Sequence, residues 1–113
     1  MAVYVSNIVV DCGIDFSATF GLEDISTNST LNLVGFGVSS QMRKHYGSSS
    51  YVSFASTISD GEGGKITISL TDTETLSIKP GRYVFDVILT LDGNGKKYKA
   101  VEGMALVRAG VTR

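Results

Sequence analysis

The clearest alternation in the chain begins after Pro80-Gly81. Tyr83, Phe85, Val87, Leu89 and Leu91 fall on one side of an extended segment, and Arg82, Asp86 and Thr90 fall on the other. Successive side chains of a strand point to opposite faces, so a period of two predicts a half-buried strand. Pro80-Gly81 is turn punctuation, Pro presetting φ and Gly accepting φ > 0. Leu76, Ile78, Gly81 and Tyr83 together match a tyrosine corner, in which a Tyr at the head of a strand hydrogen-bonds to the backbone a few residues upstream. This strand is expected at the centre of a β-sandwich.

The same period recurs upstream. Val3 to Val10 is rich in β-branched residues and apolar on both faces, Val3, Val5 and Val9 alternating with Tyr4, Ile8 and Val10. Two readings stand for residues 1–10: a strand of the domain, buried on both sides or at an edge, and an arm that docks on a neighbouring subunit. Ile14 to Gly21 sets Ile14, Phe16, Ala18 and Phe20 against Asp15, Ser17 and Thr19, a half-buried strand. Glu23 to Thr30 reads as a polar connection, and Leu31, Leu33, Phe36 and Val38 open a strand that runs to Lys44.

Tyr51 to Ser59 and Lys65 to Thr71 are two further strands joined by the Asp60-Gly-Glu-Gly-Gly64 reversal, with Phe54, Ile66, Ile68 and Leu70 inward. Asp72 resembles an N-cap and opens one helical turn that crosses to the next strand. Asp92-Gly-Asn-Gly95 is the strongest hairpin signal, because Gly and Asn tolerate φ > 0. Lys97 to Val107 returns from it, with Gly103 marking a bulge or a close backbone approach. Some seven or eight strands at intervals of about ten residues match an antiparallel sandwich. The expectation is an all-β, single domain over residues 1–113. Its core is built from Phe16, Phe20, Phe54, Ile66, Ile68, Leu70, Leu76, Tyr83, Phe85, Val87 and Leu89.

Composition narrows the functional classes. The net charge is −1, which offers no attraction to nucleic acid or an anionic membrane. No apolar run approaches the roughly 20 residues of a membrane span. The first residues carry no basic segment, so no signal peptide is expected. Cys12 is the single cysteine, which rules out an intrachain disulfide and fits a reducing cytosol.

Candidate chemistry is sparse. His45, in Arg43-Lys44-His45-Tyr46, reads as a solvated turn residue beside two cations. Cys12 has no neighbouring cation in sequence to lower its pKa and reads as a small buried hydrophobe. Asp11 with Asp15, and Asp60 with Glu62, lack the dense oxygen-ligand spacing of a calcium loop. Asp60-Gly-Glu-Gly-Gly64 lacks the Lys-Ser/Thr ending of a phosphate loop. No catalytic, cofactor-binding or metal-binding residue is assigned, and no enzyme activity is expected. Tyr4, Tyr46, Tyr51 and Tyr98, with Val3 and Val5, are the candidate interface, since exposed Tyr is enriched at protein contacts and sugar platforms.

Over most of its length the chain resembles the small immunoglobulin-like domains encoded among the tail, baseplate and fibre genes of tailed bacteriophages. The resemblance is carried by Gly-Ile-Asp-Phe-Ser-Ala-Thr-Phe, Leu31-Asn-Leu33, Gly-Lys-Ile-Thr-Ile-Ser-Leu-Thr, the Leu-x-Ile-x-Pro-Gly-x-Tyr-x-Phe-Asp-Val core, Val101-Glu102-Gly103 and the closing Val-Thr-Arg. It implies a non-enzymatic virion component, made in the host cytoplasm, that packs against other virion proteins as a homo- or hetero-oligomer. A fibre or tail adaptor and a capsid-associated piece both fit. A carbohydrate- or ligand-binding sandwich that uses exposed Tyr is the alternative, weakened by the absence of Trp.

Overall fold

The computed structural model describes the backbone of residues 4–24, 29–30 and 33–111, and side chains at 5–22 and 33–111. The chain is all-β apart from one helical turn. Its strands are β1 (Tyr4–Val5), β2 (Ile8–Asp11), β3 (Phe16–Gly21), β4 (Glu23–Asp24), β5 (Ser29–Thr30), β6 (Phe36–Arg43), β7 (Val52–Asp60), β8 (Lys65–Leu70), β9 (Gly81–Leu91) and β10 (Lys97–Arg108), with α1 (Asp72–Leu76) between β8 and β9. An eight-stranded sheet runs β1-β10-β9-β6-β7-β8-β3, with β2 continuing the line of β1 beside β10.

This sheet folds over on itself. Val52 to Phe54 of β7 pair with β6, and from Ala55 onward the strand pairs with β8, so β7 carries the chain from one half of the sheet to the other. The halves meet through aromatic rings. Phe85 of β9 lies 6.4 Å from Phe20 of β3 and 6.3 Å from Phe54 of β7, and Phe54 lies 5.9 Å from Phe16. Phe20, Phe54, Ile66, Ile68, Leu70, Phe85, Val87 and Leu89 are buried here, and Phe16 and Tyr83 are half-buried against them.

Leu76 is the exception among the expected core residues. It is 60% exposed, because the segment coils into α1 and the period of two gives way to a helical one. Thr75 is buried in its place. Its hydroxyl donates to the Ile14 carbonyl (2.9 Å) and accepts from the Gly13 amide (3.0 Å), tying the crossing to the segment before β3. The cap is Thr71 rather than Asp72: the Thr71 hydroxyl accepts from the Glu74 amide while the Glu74 carboxylate accepts from the Thr71 amide, a full capping box. Past the crossing, the Tyr83 hydroxyl donates to the Lys79 carbonyl at 2.6 Å, the tyrosine-corner bond.

Pairing is not antiparallel throughout. β1 and β2 run parallel to β10, Tyr4 opposite Val101 and Ile8 opposite Ala105. Strands from opposite ends of the chain need no hairpin between them, so nothing local dictates their direction. Their contact depends on Gly103. A Cβ there would overlap the Ser6 carbonyl and stand 3.2 Å from the Phe85 ring. The close approach lets the Ser6 amide donate to Glu102 (2.9 Å) and the Asn7 side chain accept from the Met104 amide (3.1 Å). Residues 4–11 are thus an edge strand of this chain: Ile8 and Val10 enter the core, while Val5 and Val9 face outward.

Smaller differences have local causes. β3 starts at Phe16, leaving Ile14 58% exposed. β6 starts at Phe36, after Gly35 turns the chain at φ +88°, and Leu33 is buried just before that turn with its amide on the Gly61 carbonyl. Leu31 lies outside the described residues. The connection 23–30 contains a short antiparallel ladder, β4 with β5. Among the described residues no helix is long and apolar enough to cross a membrane.

Candidate functional site

The outward face of the β2-β10-β9 region is apolar where solvent would favour polar groups. Val5 is 71% exposed, Met104 49%, Val9 46% and Leu106 40%. Register makes them neighbours: Val9 lies opposite Leu106, Met104 opposite half-buried Val84, and Val5 opposite Glu102. Charge bounds the patch at both ends. Arg108 grips Asp11 with two hydrogen bonds of 2.8 and 3.1 Å, which holds the Asp11 carboxyl below its ordinary range. At the other end Lys99 lies 3.4 Å from Glu102 and 3.9 Å from Asp86. Contiguous exposed apolar surface on a folded chain marks a contact site.

A second surface surrounds the β6–β7 connection, residues 44–51. Arg43, at its root, donates to the Ser48 carbonyl (2.6 Å) and the Gln41 side chain (3.1 Å), and its guanidinium lies 4.7 Å from the centre of the Tyr51 ring. One side chain therefore fixes the loop by hydrogen bonds and by cation–π stacking. Tyr46 and Tyr51 stand on it, 81% and 54% exposed. Tyr46 borders a shallow depression of about 280 Å³ that contains Gln41, Asp86, Lys99 and Glu102.

Of the residues expected at an interface, Val5, Tyr46 and Tyr51 are exposed. Tyr98 is not available in the same way: it is half-buried, its ring 6.2 Å from Phe36 in an edge-on contact, because it alternates onto the inner face of β10. Tyr4 pairs with Val101 through its backbone, and Val3 lies outside the described residues. Met104 and Leu106 were missing from that expectation. Their signal was present: Val101 to Val107 carries apolar groups on both alternation faces, as Val3 to Val10 does.

The weighed chemical groups are dispersed. His45 is exposed in the turn closed by the Ser48 amide on its carbonyl. Cys12 is buried, its thiol directed at the Ile78 carbonyl 3.4 Å away. Asp15 accepts from the Asp72 amide and Asp60 from the Gly63 amide, both short structural bonds. Among the described residues no three His, Cys, Asp or Glu side chains gather where a metal ion would sit.

No protein-family model matches the chain, and no curated protein matches it. Among solved structures it is similar to Listeria monocytogenes InlP, with a TM-score of 0.52 and 20% identity over 91% of this chain and 26% of that one. A family 123 glycoside hydrolase from Clostridium perfringens aligns with a TM-score of 0.46 and 13% identity, over 100% of this chain and 24% of the enzyme. The chain thus spans about a quarter of the length of either protein. At 20% identity the likeness to InlP is one of fold alone.

Proposed function

We propose that this chain is a non-enzymatic, immunoglobulin-like β-sandwich that acts through protein–protein contacts, as a tail, baseplate, fibre-adaptor or capsid-associated component of a tailed-phage virion. The sandwich reading is supported by the strand order, by the crossing of β7 between the two halves and by the Tyr83 corner. The virion setting rests on the sequence resemblance, and mass spectrometry of purified particles tests it.

The observation that carries an interface role is the outward patch of Val5, Val9, Met104 and Leu106. Its occupant is a second copy of the chain. A two-fold axis lying across the strands at the level of Val84 and Met104 sets each of these on its own copy. The same axis brings Val9 over Val5 of the second copy. It also sets Arg82, which has no ion-pair partner among the described residues, opposite Asp86 of the second copy, which shares Lys99 with Glu102. Sedimentation velocity over a concentration series should show a monomer–dimer equilibrium that Met104→Asp with Leu106→Asp abolishes. A wild-type chain that stays monomeric at millimolar concentration defeats the self-association reading.

Tyr46 favours a second reading, a glycan-binding role. Its exposed ring stands beside Gln41 and Asp86, a stacking face with hydrogen-bonding neighbours. Glycan-array binding lost in Tyr46→Ala would support it.

A further inference from the structure

A cavity of about 630 Å³ opens on the other side of the β6–β7 connection, between it and the α1–β9 crossing. That is within the roughly 300–1,000 Å³ of ordinary ligand sites. Its floor is apolar: Met42 and Ile78 are buried and Val52 is half-buried, and the rings of Tyr51 and Tyr83 stand beside them. Three cations line it, Arg43, Lys44 and Lys79. None of the three has a carboxylate within ion-pair distance among the described residues. Arg43 rests on Tyr51, and Lys44 lies 5.0 Å from the centre of the Tyr83 ring, so aromatic faces stand where counter-charges would. Glu74, the one acid lining the cavity, is committed to the Thr71 capping box.

We infer that this cavity binds an acidic, partly aliphatic peptide segment of a partner protein. An aliphatic side chain of the segment covers the Met42–Ile78 floor, and its carboxylates take the places opposite Lys44 and Lys79. A net positive lining, three cations against the one Glu74 carboxylate, over an apolar floor selects for that combination: apolar contact supplies affinity, and charge favours acidic segments over neutral ones and repels basic ones. The inference deepens the assembly reading by stating the chemistry of a partner other than a second copy, and it concerns a surface separate from the outward patch.

The test is fluorescence anisotropy with a labelled hexapeptide of alternating Glu and Leu, set against the same peptide with Lys in place of Glu. The acidic peptide should bind at low salt, weaken as ionic strength rises, and lose affinity by about tenfold or more with Lys44→Glu and Lys79→Glu combined. Both lysines are exposed, so the double variant should keep the parent circular dichroism spectrum. The Met104→Asp, Leu106→Asp variant should lose self-association and still bind the peptide, which separates failure at one surface from failure at the other. Equal binding of acidic and basic peptides, unchanged affinity in the lysine variant, or no binding at millimolar acidic peptide would each overturn the inference. Should the lysine variant misfold, the peptide-sign and salt dependence of the wild type decide.

Discussion

Gly103→Ala is the sharpest test of how the amino-terminal strands are held. The added methyl has nowhere to go: backbone of Ser6 blocks it on one side, and the Phe85 ring stands 3.2 Å away on another. Relief requires residues 4–7 to move off β10, because Phe85 is wedged between Phe20 and Phe54 and cannot retreat. Moving them breaks the Ser6 bond to Glu102 and the Asn7 bond to Met104. Each bond is worth about 0.5–1.5 kcal/mol, and forcing a methyl into a packed site costs about 1–3 kcal/mol. The expected loss is about 2–6 kcal/mol, with Ile8 and Val10 still seated. A larger loss would mean that β2 detaches as well, since burying one such side chain contributes about 1.5–3 kcal/mol.

Urea denaturation of Gly103→Ala gives the magnitude, and amide hydrogen exchange locates it. Protection should fall at residues 4–7 and hold in β2 and β9. A loss below about 0.5 kcal/mol would refute the close approach. Deleting residues 2–9 is the companion experiment. An arm made for another subunit would leave the parent melt intact, whereas an edge strand that buries Ile8 predicts a clearly lower melting temperature.

Three further outcomes follow from single side chains. Phe85→Ala should cost about 3–5 kcal/mol in a denaturant titration, since the ring is buried and touches both halves of the sheet. Tyr83→Phe should cost less, about 0.5–1.5 kcal/mol, because the Lys79 carbonyl it bonds lies where water replaces the lost donor. Arg108 holds the Asp11 carboxyl below its ordinary 3.8, chiefly by hydrogen bonding. A lowered folded-state pKa makes the ion pair's contribution complete above pH 3.8 and lost as pH falls through the folded value. Carbon-detected titration should show Asp11 returning toward 3.8 in Arg108→Met.

What the sequence disclosed was local. The alternation of β9, the Pro80-Gly81 turn before Tyr83 and the Asp92-Gly-Asn-Gly95 hairpin are each settled by neighbouring residues, and each lies where the pattern placed it. Gly103 was legible as a close approach, but not the identity of what approaches, because Ser6 lies at the far end of the chain. The helical turn was legible, but Leu76 misled: its i, i+2 spacing to Ile78 puts both on one face of a strand, whereas in the capped turn Thr75 is buried and Leu76 is exposed. Tyr46 and Tyr51 were legible as exposed, but the role of Arg43 in setting them was not. An arginine's partners depend on where a loop returns, and spacing alone does not record that.

Two runs with apolar groups on both faces pair with each other, through Tyr4 to Val10 of the first and Val101 to Val107 of the second. A single such strand at a sheet edge leaves one wet apolar face. Two of them side by side bring their outward apolar groups together, and intramolecular pairing concentrates these exposed groups instead of hiding them. Folding alone gives no reason for this, since polar residues at positions 5, 9, 104 and 106 would leave the buried face untouched. The Ser6–Asn7 step, with the Asn7 side chain taking the Met104 amide, interrupts the regular edge that would otherwise recruit further strands. An interrupted edge beside an apolar face favours association by face packing over strand addition. A dimer formed through this surface should therefore leave hydrogen-exchange protection of the β2 amides nearly unchanged while shielding the Met104 and Leu106 side chains.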